Sequence, residues 1–262
     1  MKDKQGVSGS TLKMVAVITM LIDHIAAVVL YRYLIANHFS FVIDLPVTTS
    51  AEKRLYHIYL IYDIMRGIGR IAFPIYCFLL VEGFIHTRSR ARYAFRLFLF
   101  ALLSEIPFDL DFRRHAIEFS YQNVFFTLLI GFLTIWVINA IVSYMQKHVK
   151  GILFQILRTL CFLFVTAIGA VGAKLLKTDY AAAGVIAISC IFFFKQLSDV
   201  LSLAAGCVAL TIAMPNEWPA FFGLLLVERY NGTRGWKWKY IFYFFYPVHL
   251  WVLYGICVCM GI

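Results

Sequence analysis

Long apolar runs separated by short polar segments dominate this chain of 262 residues. A helix needs about 20 apolar residues to cross a bilayer. The runs that approach this length are 12–34, 66–86, 93–108, 121–144, 152–173, 180–195, 199–214, 218–228 and 240–261. The pattern predicts an all-α transmembrane bundle in a single domain over residues 1–262, with about nine spans and eight to ten allowed. The run 218–228 is too short to cross alone, which indicates a half-helix or a short, tightly packed helix.

Composition supports a membrane protein. Apolar residues make up 62% of the chain and the mean hydropathy is +0.80, whereas soluble domains are about 45–50% apolar. The net charge of +10 does not require a nucleic-acid partner, because cytoplasmic loops of membrane proteins carry an excess of Lys and Arg. With the N-terminus inside, 15 of the 24 Lys and Arg residues fall in inner segments, which predicts an N-in, C-out topology. The longest outer loop would be 35–65. The first run lacks a cleavage site, so we expect it to stay as a helix.

Cysteine and metal motifs are absent from the sequence. The six cysteines all lie in apolar stretches and none forms a C-x-x-C pair. They are interpreted as small buried apolar residues, with no disulfide framework and no metal site. No H-E-x-x-H motif occurs, and the segment 169–174 lacks the Gly-Lys-Ser/Thr ending of a phosphate-binding loop.

Ionisable residues inside the apolar runs are the strongest functional signal. Asp23 and His24 lie in the middle of the first run, where a charged group costs about 2.5–3.5 kcal/mol even on lenient insertion scales. His249 lies at a similar depth in the last run. Histidine is the side chain best suited to taking a proton near neutral pH. Two histidines at one depth favour a shared reaction centre, and the alternative is polar contacts that hold helices together.

A second polar group lies near the predicted outer ends of the spans. Arg66 and Arg70 are four residues apart and share a helix face, although snorkelling to the interface would also explain them. Together with nearby acids and amides they predict a wet outer vestibule that binds a substrate. Its further members are Glu105, Asp109, Asn123 and Asp179.

The predicted inner side is strongly basic at 86–96 and 229–239. Topology alone predicts basic loops on this side, but it does not explain glycine, arginine and tryptophan interleaved after a tight turn. Backbone donors, guanidinium groups and an indole suit a phosphorylated ligand that carries adenine. The candidate ligands of this group are His86, Arg88, Arg90, Arg92, Asn231, Gly232, Arg234 and Trp236. Glu82, one turn before His86, would bind substrate or pair with a neighbouring arginine.

These residues occur in ordered blocks that resemble the TraX family of bacterial integral membrane proteins. The resemblance covers most of the chain. It is carried by Leu12-Lys13 with the segment 20–24, by 66–74 through 82–84 and 86–88, by Ser104 to Asp109, by 122–124, by Asp179-Tyr180, by 230–232 with 234–235, and by 246–249.

The resemblance implies a function. The family is associated with N-terminal acetylation of pilin in conjugation, and it is similar to the multi-pass acyltransferase superfamily. In that superfamily a histidine of the first helix is catalytic and acyl-CoA enters from the cytoplasm. His24 occupies the corresponding place, Arg70 with Pro74 resembles an arginine-bearing helix, and 82–84 resembles its ending. The implied partners are the bilayer, acetyl-CoA as donor and an extracytoplasmic acceptor, with the protein in the bacterial cytoplasmic membrane.

We therefore expect a transmembrane acetyltransferase. His24 would act as general base, oriented by Asp23 or another acid, and His249 would assist or hold the donor. Two other functions remain open on the sequence. Intramembrane Asp, His, Arg and Glu also describe a proton-coupled transporter, although no inverted repeat is visible. A non-catalytic assembly factor would use the same residues to join helices.

Overall fold

The structure is a computed structural model that describes residues 6–41, 49–236 and 239–262. Within these ranges the regular structure is helical, which confirms the predicted all-α class. A π-helix, Ile25–Leu30, follows α1 directly, and a 3-10 helix, Pro215–Phe222, precedes α10. The α-helices are α1 Gly9–His24, α2 Tyr31–Ala36, α3 Ser50–Gly69, α4 Ala72–His86, α5 Arg90–Arg113, α6 Val124–His148, α7 Gly151–Leu175, α8 Ala181–Phe194, α9 Asp199–Ala213, α10 Gly223–Val227 and α11 Lys239–Met260.

Several of these helical stretches are long and apolar enough to cross a membrane. Five meet both requirements: Gly9–Ala36, Ser50–His86, Val124–His148, Gly151–Leu175 and Tyr240–Met260. Two shorter apolar helices, Ala181–Phe194 and Asp199–Ala213, lie beside them. The chain is thus a polytopic transmembrane helical bundle. The count of about nine spans and the N-in orientation stay predictions.

Local capping explains where the helices begin. The Ser8 hydroxyl accepts from the Thr11 backbone, and Asn123 caps α6 by accepting from the Phe125 backbone at 3.0 Å. Thr49 and Glu52 form a reciprocal capping box at the start of α3. Each cap satisfies a backbone donor that the first helical turn leaves without a partner.

The predicted boundaries were wrong in two places. The outer loop 35–65 is not a loop throughout, because α3 begins at Ser50 and leads through a short turn into α4. The capping box and the helix-forming residues after it outweigh the mixed polarity of that segment. The span 93–108 is also too short, because α5 continues past Pro107 to Arg113. The run 218–228 does form a short element, as 3-10 helix followed by α10.

The core lies where α4, α6, α8 and α9 meet. Phe78 and Phe84 of α4 and Phe132 of α6 are fully buried there. Glycines allow close approach of the backbones: a Cβ at Gly206 of α9 would lie 2.6 Å from the Ile191 side chain of α8. By contrast, α7 is peripheral, and Phe164 on it is 69% exposed. This apolar surface matches contact with lipid.

Two groups of loops mark the two ends of the bundle. The Val7 amide donates to the Arg229 carbonyl at 2.8 Å, and Gly9 donates to Thr233 at 2.8 Å, so the start of α1 packs on the loop 229–236. We call this the basic end. At the distal end, the Gln122 amide donates to the Lys177 carbonyl at 3.0 Å and the Asp179 amide donates to the Gln122 carbonyl at 2.8 Å, which joins the loops before α6 and α8. Three residues counted in the predicted inner charge, Lys2, Lys4 and Lys237, lie outside the described residues.

Candidate active site

One cavity joins the two groups of candidate residues. Its volume is ≈1110 Å³, slightly above the range of about 300–1,000 Å³ for small-molecule sites. The walls include His24, Asp23 and Asp179 as well as residues of the basic end. The cavity therefore connects the basic end with the half-buried side chain of His24. The candidate residues on its walls are Asp23, His24, Arg66, Arg70, Glu82, His86, Arg88, Arg92, Asp179, Gly232 and Arg234.

The two intramembrane histidines contact each other. Nδ1 of His24 lies 2.7 Å from Nε2 of His249, and the two rings lie edge to edge, with their planes 17° from parallel and their centroids 5.0 Å apart. The edges of Phe112 and Tyr246 complete an aromatic surround of His24. The predicted association of the two histidines is present in the structure.

Helix geometry places this pair. His24 is the last residue of α1, and the wider turns of the π-helix Ile25–Leu30 begin directly after it. A π-helical segment changes the direction of the following side chains and is frequent at functional sites. His249 follows Pro247 in α11 and is 5% exposed. Nδ1 of His249 donates a hydrogen bond to the Phe245 carbonyl at 2.8 Å.

Asp23 forms an ion pair with Arg66 and not a hydrogen bond with its sequence neighbour His24. Its Oδ2 accepts from Nη1 of Arg66 at 2.6 Å, so the ion pair links α1 to α3. The approach needs a glycine: a Cβ at Gly69 would collide with the Asp23 side chain. Because the acid is committed to Arg66, it is Arg66 rather than His24 that Asp23 orients.

Arg70 forms an ion pair with Glu217, an acid that was not among the predicted site residues. Nη1 of Arg70 lies 2.8 Å from Oε1 of Glu217, whose side chain is 3% exposed. Glu217 lies between Pro215 and Pro219 in the 3-10 helix and lines the cavity. The available signal was an acid inside the apolar stretch from Met214 onward. Such a residue is rarely buried without a partner.

A strained loop at the distal end carries Asp179 and Tyr180 to the cavity. Tyr180 has φ 59°, a left-handed conformation that costs free energy in a residue with a side chain. The loop is held there because Tyr121 donates to Asp179 at 2.6 Å and Thr127 donates to the Asp179 carbonyl. Burial raises the pKa of the Asp179 carboxyl above its ordinary value, although the Tyr121 hydroxyl acts in the opposite direction. Tyr121 and Tyr180 both line the cavity and were not predicted as site residues.

Three predicted vestibule residues lie off the cavity walls. Asn123 is fully buried and donates to the Ala101 carbonyl at 2.8 Å and to the Glu105 carboxylate. Asp109 is 1% exposed and accepts from the Glu118 backbone at 2.7 Å. This cluster joins α5 to the start of α6. It supports the bundle beside the cavity.

Glu82 is the centre of a network at the basic end. It accepts from Lys195 at 2.6 Å and from the Tyr230 hydroxyl at 2.9 Å, while His86 lies 3.8 Å away. Lys195 also pairs with Asp199 at 2.5 Å. Glu82 is therefore paired with a basic residue, but the partner is Lys195 and not the neighbouring arginine of the predicted alternative. Lys195 was missed because it belongs to the end of α8, far away in sequence.

Cationic side chains gather at the basic end of the cavity. Those on its walls are Lys13, Arg88, Arg92, Arg96 and Arg234, and His86 lines the same end. The predicted ligand Arg90 instead lies over the Phe84 ring at 4.3 Å. Trp236 is 63% exposed, and its backbone donates to Ser10 at 3.0 Å. Asn231 shapes the turn by accepting from the Thr233 backbone, while Gly232 adopts φ 72°.

Comparison with known proteins shows the family of this chain. The chain matches the family described as TraX protein over residues 8–257. A probable fimbrial assembly protein FimC, serogroup H1, of Dichelobacter nodosus is 28% identical over 209 residues, which cover 72% of this chain and 81% of that protein. No solved structure matches. Because the family match spans nearly the whole chain, this protein belongs to the TraX family.

Proposed function

We propose that this protein is a membrane acyltransferase that transfers an acetyl group from acetyl-CoA to an amine or hydroxyl of an exported acceptor. The observation that carries the proposal is one continuous cavity with His24 on one wall and five Lys and Arg side chains at its basic end. A general base and an anion-binding entrance in one enclosure are what transfer from a phosphorylated thioester needs.

The donor would bind at the basic end. Arg88, Arg92 and Arg234 are exposed side chains on the cavity wall, and guanidinium groups bind phosphates through paired hydrogen bonds. The acyl chain would extend along the cavity toward His24. The donor therefore enters from the cytoplasm if the predicted N-in topology holds.

The acceptor would enter from the distal end. Arg66 with Asp23, Arg70 with Glu217, and Asp179 with Tyr121 line or border this part of the cavity. Paired charges of both signs suit a polar acceptor better than a lipid. The relative named as a fimbrial assembly protein favours a pilus subunit as the acceptor, in the cytoplasmic membrane of a bacterium.

Transfer from labelled acetyl-CoA tests the proposal directly. The affinity for CoA is measured by calorimetry on purified protein in proteoliposomes. The same preparation is then incubated with labelled acetyl-CoA and candidate acceptors, and transfer of the label is measured. We expect binding of CoA in the micromolar range, about −8 kcal/mol, followed by label on an acceptor. Proton-linked solute flux without CoA binding would instead identify a transporter. The absence of both solute flux and CoA binding would indicate a non-catalytic assembly factor.

A further inference from the structure

The hydrogen bonds around His249 determine which of its nitrogens carries a proton. Nδ1 of His249 lies 2.8 Å from the Phe245 carbonyl. A carbonyl oxygen can only accept, so Nδ1 of His249 is the donor. In neutral imidazole the other nitrogen is then a bare acceptor. Nε2 of His249 therefore offers a lone pair to the atom that faces it.

That atom is Nδ1 of His24, 2.7 Å away. Since Nε2 of His249 accepts, Nδ1 of His24 must donate, and the proton of neutral His24 is on Nδ1. Its lone pair is then on Nε2, which has no hydrogen-bond partner among the described residues. His24 lies on the cavity wall, whereas His249 lies behind it at 5% exposure.

We propose that His249 is a positioning residue that holds His24 in the tautomer with its lone pair on Nε2, available to the cavity. The inference rests on the proposed function, because a base with a free Nε2 matters only if His24 takes a proton. It assigns to a histidine the role for which the sequence offered Asp23. Among the described residues the Asp23 carboxylate makes no hydrogen bond to His24, and Arg66 holds its Oδ2 at 2.6 Å.

The proton balance of the step is complete without another reactant. The acceptor nitrogen or oxygen forms its bond to the acyl carbon, and its proton passes to Nε2 of His24. The carbon–sulfur bond then breaks, and the CoA thiolate takes that proton from Nε2. Throughout, Nδ1 of His24 donates to His249, which stabilises the transient imidazolium. His249 stays neutral because its one proton remains on Nδ1, where it is donated to the Phe245 carbonyl.

Two substitutions at His249 separate positioning from packing. His249→Gln keeps an acceptor near the place of Nε2, while His249→Leu keeps volume and removes the acceptor. We expect kcat to fall about 10²–10⁴-fold in the Leu variant and at most about tenfold in the Gln variant. KM for acetyl-CoA should stay unchanged in both. Equal losses in the two variants, or full activity with Leu, would overturn the assignment.

Nitrogen-15 NMR of histidine-labelled protein in detergent tests the tautomer without any assay of transfer. The His24 signals are identified by their loss in His24→Gln. We expect protonated Nδ1 and bare Nε2 in the unmodified protein, and a shift toward protonated Nε2 in His249→Leu. A protonated Nε2 in the unmodified protein would refute the inference. The expected tautomer in a protein that transfers no acetyl group would refute the proposed function instead.

Discussion

The carboxylate of Asp23 and the guanidinium of Arg66 form an ion pair at 2.6 Å between α1 and α3. The two residues are far apart in sequence and lie in different helices, yet their contact determines which side chain Asp23 binds. It removes the acid from His24 and leaves His249 as the histidine's partner. The pair also joins α3 to the first span. Most of α3 lies in the segment 35–65, which its mixed polarity predicted to be a loop.

Replacing Gly69 tests how closely α3 must approach Asp23. A Cβ at Gly69 would collide with the Asp23 side chain, whereas a Cβ at Gly67 would meet nothing within 4 Å. We expect Gly69→Ala to lower the free energy of unfolding by about 1–3 kcal/mol, and Gly67→Ala to leave it nearly unchanged. Thermal unfolding in detergent measures both. Equal effects would mean that the two helices do not meet in this way.

The Asp23–Arg66 pair should show strong coupling in a double-mutant cycle. Asp23→Asn and Arg66→Gln each leave a partly buried charge without its partner, at a cost of about 1–3 kcal/mol. The double variant removes both charges, so it should lose less than the sum of the single losses. Unfolding measurements on the four proteins give the coupling. Strict additivity would show that the pair contributes nothing to stability.

His24→Ala should abolish acetyl transfer while the protein still inserts and binds CoA. Loss of a general base lowers turnover by about 10²–10⁴-fold, and the donor contacts at the basic end remain. His148→Ala is the matched control, because His148 is exposed and does not line the cavity, and its Nδ1 lies 2.9 Å from the Tyr144 carbonyl of its own helix. Turnover near that of the unmodified protein in His24→Ala would remove His24 from the mechanism.

Arginine substitutions at the basic end should weaken the binding of the donor acetyl-CoA. We expect Arg234→Ala, and Arg88→Ala combined with Arg92→Ala, to raise KM for acetyl-CoA about tenfold or more with little change in kcat, since phosphate contacts are alike in ground and transition states. Arg158→Ala is the control, because its guanidinium lies over Phe193 at 4.9 Å, away from the cavity. An unchanged KM would mean that these arginines serve topology alone.

Labelling of introduced cysteines should place the two ends of the cavity on opposite faces of the membrane. The background is Cys259→Ser, because Cys259 is the exposed native cysteine of the described residues. Lys177→Cys at the distal end should react with an impermeant thiol reagent added outside the cell. Lys150→Cys and Arg234→Cys should react only after the cell is opened, as the inward bias of basic residues predicts. Reaction of Lys177→Cys and Arg234→Cys from one side would refute two-sided access.

Hydropathy alone predicted the fold class and the main helices. An apolar run in a bilayer must satisfy its backbone groups internally, so a helix follows from local sequence. The same reasoning identified Asp23, His24 and His249, because an ionisable residue is conspicuous in an apolar run. It was weaker at 35–65, where polar and aromatic residues are mixed and helix formation depends on the cap at Thr49.

The tertiary structure decided which of the polar residues work together. His24 and His249 are 225 positions apart, and their contact depends on the rotation and depth of two helices, which hydropathy does not encode. The same is true of Arg70 with Glu217 and of Glu82 with Lys195. Asn123 is the opposite case, since an amide suited to a vestibule was used to cap and anchor a helix. Residue type and depth are properties of a segment, whereas partnership is a property of the packed bundle.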